Sequence, residues 1–253
     1  MNKQVLIEVS SLQKSFKTDD MEQVVIQDMN LTLYEGDFTV IMGASGAGKS
    51  TLMYVLSTMD KATEGKILYK GVNIASYSED DMALFRRKNC GFVFQQMYLL
   101  EKMSLIDNVV SAGILTNNNK NQVKEATKEL LKKVNIDEKL WNKYPSQISG
   151  GEAQRVGIVR ALINTPTVVF ADEPTGALNS SNSNIILDVF TKINEEGQSV
   201  IMVTHDKKTA LRANRILYLK DGKIFGECNL GNYHKDDQNR EKQLNDFLIE
   251  MEW

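Results

Sequence analysis

Gly43-Ala44-Ser45-Gly46-Ala47-Gly48-Lys49-Ser50-Thr51 fits the pattern G-x-x-x-x-G-K-[ST], the spelling of a loop that cradles phosphate. Phosphate oxygens are held best by several backbone N–H groups converging on one point. Glycines at 43, 46 and 48 let the loop curl without Cβ clashes. Lys49 then places a point charge on the β- and γ-phosphates, and Ser50 offers a hydroxyl to Mg2+. A helix over about Gly48 to Ser57 aims the positive end of its dipole at the anion. A chance glycine turn before a helix satisfies the same eight-residue pattern, so the surrounding chain has to decide.

Four short apolar runs supply that decision. Phe38 to Met42 ends on Gly43, Phe92-Val93-Phe94 on Gln95, Val168 to Ala171 on Asp172 and Glu173, and Val200 to Thr204 on His205. Continuous apolar runs of this length suit strands buried on both faces of a mainly parallel sheet. Ligands of such sheets bind beyond the carboxyl ends of the strands, so four runs that stop at chemically useful residues imply one shared site. Upstream, the alternation of Val5, Ile7 and Val9, a polar turn at Thr18-Asp19-Asp20 and a second pattern from Val24 to Leu33 predict an antiparallel sheet beside that core. The fold class is therefore α/β, with an antiparallel β subdomain and an inserted helical one.

The insert spans about residues 97–150. Ser104 to Leu115 and Gln122 to Val134 carry helical periodicity, separated by Asn117-Asn118-Asn119, and Tyr144-Pro145 predicts a stop. Then comes Ile148-Ser149-Gly150-Gly151-Glu152. Ser149 with Glu152 three residues on fits a helix capping box. Two consecutive glycines at a helix start also leave N–H groups open to an anion, a second phosphate cradle where one site needs only one. Further on, Ser183 to Ile193 predicts a helix, Asp221-Gly222 a hairpin turn, and Arg240 to Trp253 a terminal helix with Leu244, Phe247, Leu248 and Met251 on one side. A nucleotide-binding domain over residues 1–226 followed by a polar segment over 227–253 is the expected organisation.

Composition narrows the classes. The chain has 253 residues, enough for a sizeable core, and a net charge of -3 gives no global field for nucleic acid or an anionic membrane. Cys90 and Cys228 have no metal-ligand spacing and read as reduced thiols of a cytosolic protein. No apolar run approaches the roughly 18 residues of a membrane helix, so if the protein serves a membrane, another chain crosses it. The guanine-reading N-K-x-D is missing, since Asn142-Lys143 is followed by Tyr144-Pro145; the expected base is adenine.

In the chemistry of such a site, Asp172 holds Mg2+, Glu173 orients and deprotonates an attacking water, His205 contacts the γ-phosphate, and Gln95 completes the metal shell or binds the water. Taken together, Gly43 to Thr51, Gln95, Ile148 to Glu152, Ala171-Asp172-Glu173-Pro174 and His205 resemble the ATP-binding subunits of ABC transporters over about residues 4–226. The resemblance implies a head-to-tail homodimer with two ATP molecules, each between one phosphate loop and the partner's Ser149, Gly150, Gly151 and Glu152. It implies that Phe16 stacks on adenine, that Ser50, Gln95 and Asp172 hold Mg2+, and that a permease helix enters beside Gln95. The chain would then sit in the cytoplasm, peripheral on the inner face of the membrane. The wording around Gly43, Gln95 and Asp172 is similar to the macrolide-exporter, lipoprotein-release and bacitracin-resistance branch, which implies resistance to antimicrobial peptides, with lipoprotein release or nucleotide-gated cell-division signalling as alternatives. A soluble ABC ATPase of translation or DNA repair would need two cassettes or a long coiled coil. Two departures from the family pattern stand out: Ile148 and Glu152 replace the commoner leucine and glutamine, and Asn179 stands where aspartate is usual.

Overall fold

The computed structural model describes residues 3–18, 21–235 and 237–253; Asp19 and Asp20 of the expected turn lie outside them. Two long strands open the chain, β1 (Val5–Thr18) and β2 (Met21–Tyr34). β3 (Phe38–Met42) is buried at every position and runs into the glycine loop and helix α1 (Lys49–Leu56). β4 (Glu64–Tyr69), β5 (Val72–Asn73) and α2 (Glu79–Asn89) follow, none of them announced by the apolar pattern. After β6 (Cys90–Phe94) come α3 (Leu105–Gly113) and α4 (Lys120–Lys133). Ser104 caps α3 by accepting from Asp107 N, and Asn119 caps α4 by accepting from Gln122 N, which starts that helix two residues earlier than its apolar stripe. At the stop expected around Tyr144-Pro145, Tyr144 is extended and Pro145 opens a short 3-10 turn, Pro145–Gln147, ahead of the next helix, since a proline ring suits the first helical position. The remaining elements are α5 (Gly150–Leu162), β7 (Val168–Asp172), α6 (Ser180–Glu195), β8 (Ser199–Val203), α7 (Lys207–Ala210), β9 (Arg215–Lys220), β10 (Lys223–Asn229) and α8 (Gln238–Glu250).

The chain forms two compact units, Met1–Ala83 with Asn194–Trp253, and Leu84–Ile193. In the first, β2-β1-β4-β5 make an antiparallel sheet, as expected of the N-terminal segment. The strands β10-β9-β3-β8 make the core, with β3 parallel to both β8 and β9, and β9–β10 closing as an antiparallel hairpin. Asp221 and Gly222 both have positive φ at its turn, 48° and 72°, the conformation that matches strand twist. In the second unit β6 and β7 pair in parallel. The α/β class with a parallel core and an antiparallel sheet is thus the observed one.

The C-terminal helix α8 packs within the first unit. Leu244, Phe247, Leu248 and Met251 are buried, and a Cβ on Gly226 of β10 would lie 2.4 Å from Met251 Sδ. Arg240, 3% exposed, pins the helix start by donating to backbone carbonyls of Leu211 (2.6 Å), Leu230 (2.9 Å) and Ala213. Burial holds its guanidinium below the usual arginine range, yet delocalised charge and a planar fork suit it to several carbonyls at once. Both cysteines are buried and neither is in a disulfide.

Candidate nucleotide site

The sheet register explains why chemistry collects at strand ends. In the first unit Ile41 of β3 is opposite Val203 of β8, so the exits at Gly43 and His205 are neighbours. Thr204 N donates to Ile41 O at 3.3 Å and tightens that junction. Gly43 has φ 151°, and a Cβ there would fall 2.1 Å from Leu219 O; no side chain fits. Gly46 and Gly48 have φ 81° and 96°, the left-handed region in which glycine is at no disadvantage. Gly48 is the N-cap of α1 and offers no side-chain cap; the first turn carries no acidic residue. The N–H groups of that turn therefore have no side-chain oxygen from the cap position. Lys49 Nζ folds back over the loop and donates to the carbonyls of Gly43 (2.9 Å) and Ala44 (2.8 Å).

His205 is exposed immediately after buried Thr204. On its other side Asp206 caps α7, its carboxylate accepting from Lys208 N (3.3 Å) and Thr209 N (2.9 Å). The imidazole thus stands on a short loop fixed at both ends. Phe16, 43% exposed, pairs with Gln23 across the β1–β2 ladder, and Lys14 Nζ lies 4.7 Å from its ring centroid. Two residues along β2, the Val25 carbonyl lies 3.1 Å from where a Cβ of Gly48 would be, so that hairpin borders the phosphate loop.

In the second unit Phe94 pairs with Asp172, which sets Gln95 beside Glu173. Glu173 has φ 45°, an uncommon conformation for a residue with a long side chain. The turn it opens closes through Gly176 N donating to Glu173 O at 3.0 Å. Gln95 lies across that turn: a Cβ on Gly176 would sit 2.8 Å from Gln95 Nε2. At the start of α5 the expected capping box is present. Ser149 Oγ accepts from Glu152 N (3.3 Å), while Glu152 Oε2 accepts from Ser149 N (2.8 Å) and Ser149 Oγ (2.7 Å). The Ser149 hydroxyl and amide hold the Glu152 carboxyl below its ordinary range. Gly151 packs on α6, where a Cβ would meet Asn182 Oδ1 at 2.7 Å. Asn179 is the cap of α6, its Oδ1 accepting from Asn182 N at 2.9 Å, and this starts the helix at Ser180 rather than Ser183.

The expected site residues thus fall into two groups. Gly43 to Thr51, His205 and Phe16 belong to the first unit; Gln95, Asp172, Glu173, Ser149 to Glu152 and Asn179 belong to the second. Sequence reasoning missed Gln154 and Arg160 of α5. Gln154 Nε2 donates to Phe94 O (2.9 Å) and Pro174 O (2.8 Å). Arg160 donates to Met97 O (2.7 Å) and Tyr98 O (2.6 Å). Polar residues amid the nearly unbroken buried run from Ala153 to Leu162 were the available signal.

A phosphate loop at the end of a buried strand, a glycine-rich capped helix start and a strand-end Asp-Glu define a nucleotide-hydrolysing cassette. The ABC transporter family profile matches residues 26–176, and the chain belongs to this family: it is an ATP-binding ATPase cassette. It is 40% identical to an uncharacterized ABC transporter ATP-binding protein of Methanocaldococcus jannaschii, over 87% of this chain and 97% of that protein. It is 42% identical to the lipoprotein-releasing system ATP-binding protein LolD of Aquifex aeolicus, over 80% of this chain and 90% of the relative. The macrolide export ATP-binding/permease protein MacB of Pasteurella multocida is 40% identical over 90% of this chain, which spans 35% of MacB. These names match the branch expected from the wording of the motifs. Among solved structures, a bacterial ABC transporter cassette in dimeric form superposes with a TM-score of 0.80 at 35% identity, covering 90% of this chain and all of that one. A dimeric post-hydrolysis ATP-binding cassette bound to ADP and Pi also has a TM-score of 0.80, at 34% identity and the same coverage.

Among the described residues no helix is long and apolar enough to cross a membrane, and no group of three or more His, Cys, Asp or Glu could hold a metal ion.

Proposed function

We propose that two copies of this chain close head to tail around two ATP molecules and that the closure drives a separate membrane permease. The observation that carries the reading is the presence in one chain of two unlike glycine-rich helix starts, one uncapped at α1 and one capped at α5. The uncapped start is the half-site for a nucleotide's own phosphates, and the capped one completes the site of the partner copy. The dimeric state of the neighbouring cassettes supports it.

In this reading Lys49 neutralises the β- and γ-phosphate oxygens and the amides from Gly43 to Thr51 orient them. Phe16 lays its exposed ring on the adenine. Glu173 accepts a proton from the attacking water, and Gln95, held against the same turn, fixes that water's position. His205 donates to the γ-phosphate. The donor set proposed for Mg2+, the Ser50 hydroxyl, the Gln95 amide and the Asp172 carboxylate, is all hard oxygen with a single charge. That suits an ion which takes few protein ligands and completes its shell with phosphate and water; when bound, it would offset charge on the transferred phosphoryl group.

Next to Gln95 the exposed Tyr98 (64%) and Leu100 (54%), on a segment anchored by Arg160, offer an apolar seat for a permease helix. In this reading the cassette is peripheral to the cytoplasmic face of the membrane through that partner. Antimicrobial peptides are the proposed cargo of the system, and the LolD relative favours lipoprotein release as the second reading. The coding context separates them, because the permease reads the cargo. The cassette itself is tested by Glu173→Gln. Removing a positioned base slows hydrolysis by about 10²- to 10⁴-fold, and with saturating Mg-ATP the variant should elute as a stable dimer. A persistent monomer under those conditions would sink the closure reading.

A further inference from the structure

We infer that Gln154 is a positioning residue that ties helix α5 to Gln95 and Glu173 of its own subunit, so that occupancy of Ser149–Glu152 sets the geometry of hydrolysis. This rests on the roles proposed for those residues above. Gln154 is fully buried, 0% exposed. Its two amide protons go to two different strand ends: the carbonyl of Phe94, one residue before Gln95, and the carbonyl of Pro174, one residue after Glu173. Its Oε1 is buried with no hydrogen-bond partner. An amide placed for stability would satisfy both ends, since an unmet buried acceptor is destabilising. Here only the donating end is used.

The two carbonyls are the right ones to hold. Glu173 keeps a left-handed φ of 45°, and such a residue persists only where its surroundings over-determine it. Gly176 N constrains the turn from within; Gln154 constrains it from α5. On the other strand α5 grips the chain on both sides of Gln95, through Gln154 at Phe94 and through Arg160 at Met97 and Tyr98. Ser149, the N-cap, and Gln154 are five residues apart along the same helix, about 7.5 Å along its axis. Any shift of α5 as its first turn takes an anion moves the amide, and with it both carbonyls. The device needs no lever arm, because the displacement is delivered one residue from each reacting group.

The test uses Gln154→Met, which keeps length and volume but has no donor, and Gln154→Glu, which keeps shape. Steady-state ATP hydrolysis and Mg-ATP-dependent dimerisation are measured for each, alone and combined with Glu173→Gln. Gln154→Met should lower kcat about tenfold or more, as displaced catalytic groups do, with KM for ATP within about twofold, while the combined variant still dimerises on Mg-ATP. A glutamate carboxylate has no proton for either carbonyl and its acid form has one. The kcat of Gln154→Glu relative to the parent should therefore rise as pH falls from about 8.5 to about 6. With the folded fraction constant over that range, checked by circular dichroism, a glutamine that only stabilises the fold would not produce that slope. Retention of more than half the kcat by Gln154→Met, or a loss confined to KM, would overturn the proposal. If Gln154→Met does not fold, the pH slope decides: a flat ratio overturns it. Failure of Glu173→Gln alone to dimerise would instead count against the closure reading.

Discussion

Helices α1 and α5 both begin at glycines, and they begin differently. Gly43, Gly46 and Gly48 all take positive φ and α1 has no side-chain cap. Gly150 and Gly151 are not among the positive-φ glycines, and α5 starts under a complete Ser149/Glu152 box. An uncapped helix start with a lysine folded over it lacks the negative charge its dipole favours. A capped one has already recruited that charge from its own sequence. A phosphate at α1 therefore meets amides with no cap carboxylate to displace, whereas a phosphate at α5 competes with Glu152. On the proposed reading the first cradle binds and the second responds.

The largest effect should come from removing the charge that distinguishes the first cradle. Lys49→Ala takes away the cation over the loop and should reduce ATP hydrolysis by about 10²- to 10³-fold, the range found when one donor to developing charge is lost. The Lys49 ammonium contacts two loop carbonyls, so the thermal midpoint without nucleotide should move little. A variant that hydrolyses ATP within about tenfold of the parent would show that the backbone nest alone carries the anion, and would erase the difference between the two helix starts.

Much of this contrast was readable from sequence, for physical reasons. Strands buried on both faces become unbroken apolar runs, so β3, β6, β7 and β8 and the residues at their exits stood out. The capping box is local and was equally plain. What lies between Glu64 and Asn89 was not: β4 is half exposed, β5 has two residues, and Met82 is the one buried hydrophobic residue of α2. None presents a full period of apolar positions. The anchoring of Gln95 was invisible because Gln154 and Arg160 reach it across 60 to 63 residues of chain. The split of the site residues between two compact units is likewise a property of the packing, not of any motif.

A smaller effect should follow from neutralising the second cradle. Glu152→Gln keeps the shape of the box but not its charge. If the carboxylate competes with an incoming phosphate, the ATP concentration for half-maximal dimerisation should fall by about tenfold, since like charges brought together are strongly unfavourable. Stability should drop only by about 0.5 kcal/mol, the worth of a charge at an exposed helix start. The pH dependence separates the two contributions. The Glu152 carboxyl titrates below its ordinary range in the folded chain, so its stabilisation is full above about pH 4.3 and is lost as pH falls through the lower value at which it titrates in the folded chain. Glu152→Gln should lack that acid limb in thermal melts. An unchanged dimerisation threshold would mean that the box opens at no cost or that α5 meets no phosphate.

The smallest expected change is at Asn179, where the sequence departs from its family by one charge. The structure gives the side chain a job that either residue can do, capping α6 through Asn182 N; asparagine and aspartate are equally good caps. Asn179→Asp should therefore leave stability within about 0.5 kcal/mol, slightly improved by the helix dipole. Any functional effect must then come from the added charge rather than from refolding of the loop. Asn179 is exposed, three residues beyond Gly176 of the turn on which Gln95 rests, and in the proposed closed dimer its charge would face the other copy. An increase of about twofold in the cooperativity of hydrolysis with ATP, at constant thermal midpoint, would make this position a tuned contact between the sites, within the few-fold range of weak coupling energies. An unchanged rate and cooperativity would reduce Asn179 to a helix cap, and would leave Gln154 as the route by which one cradle informs the other.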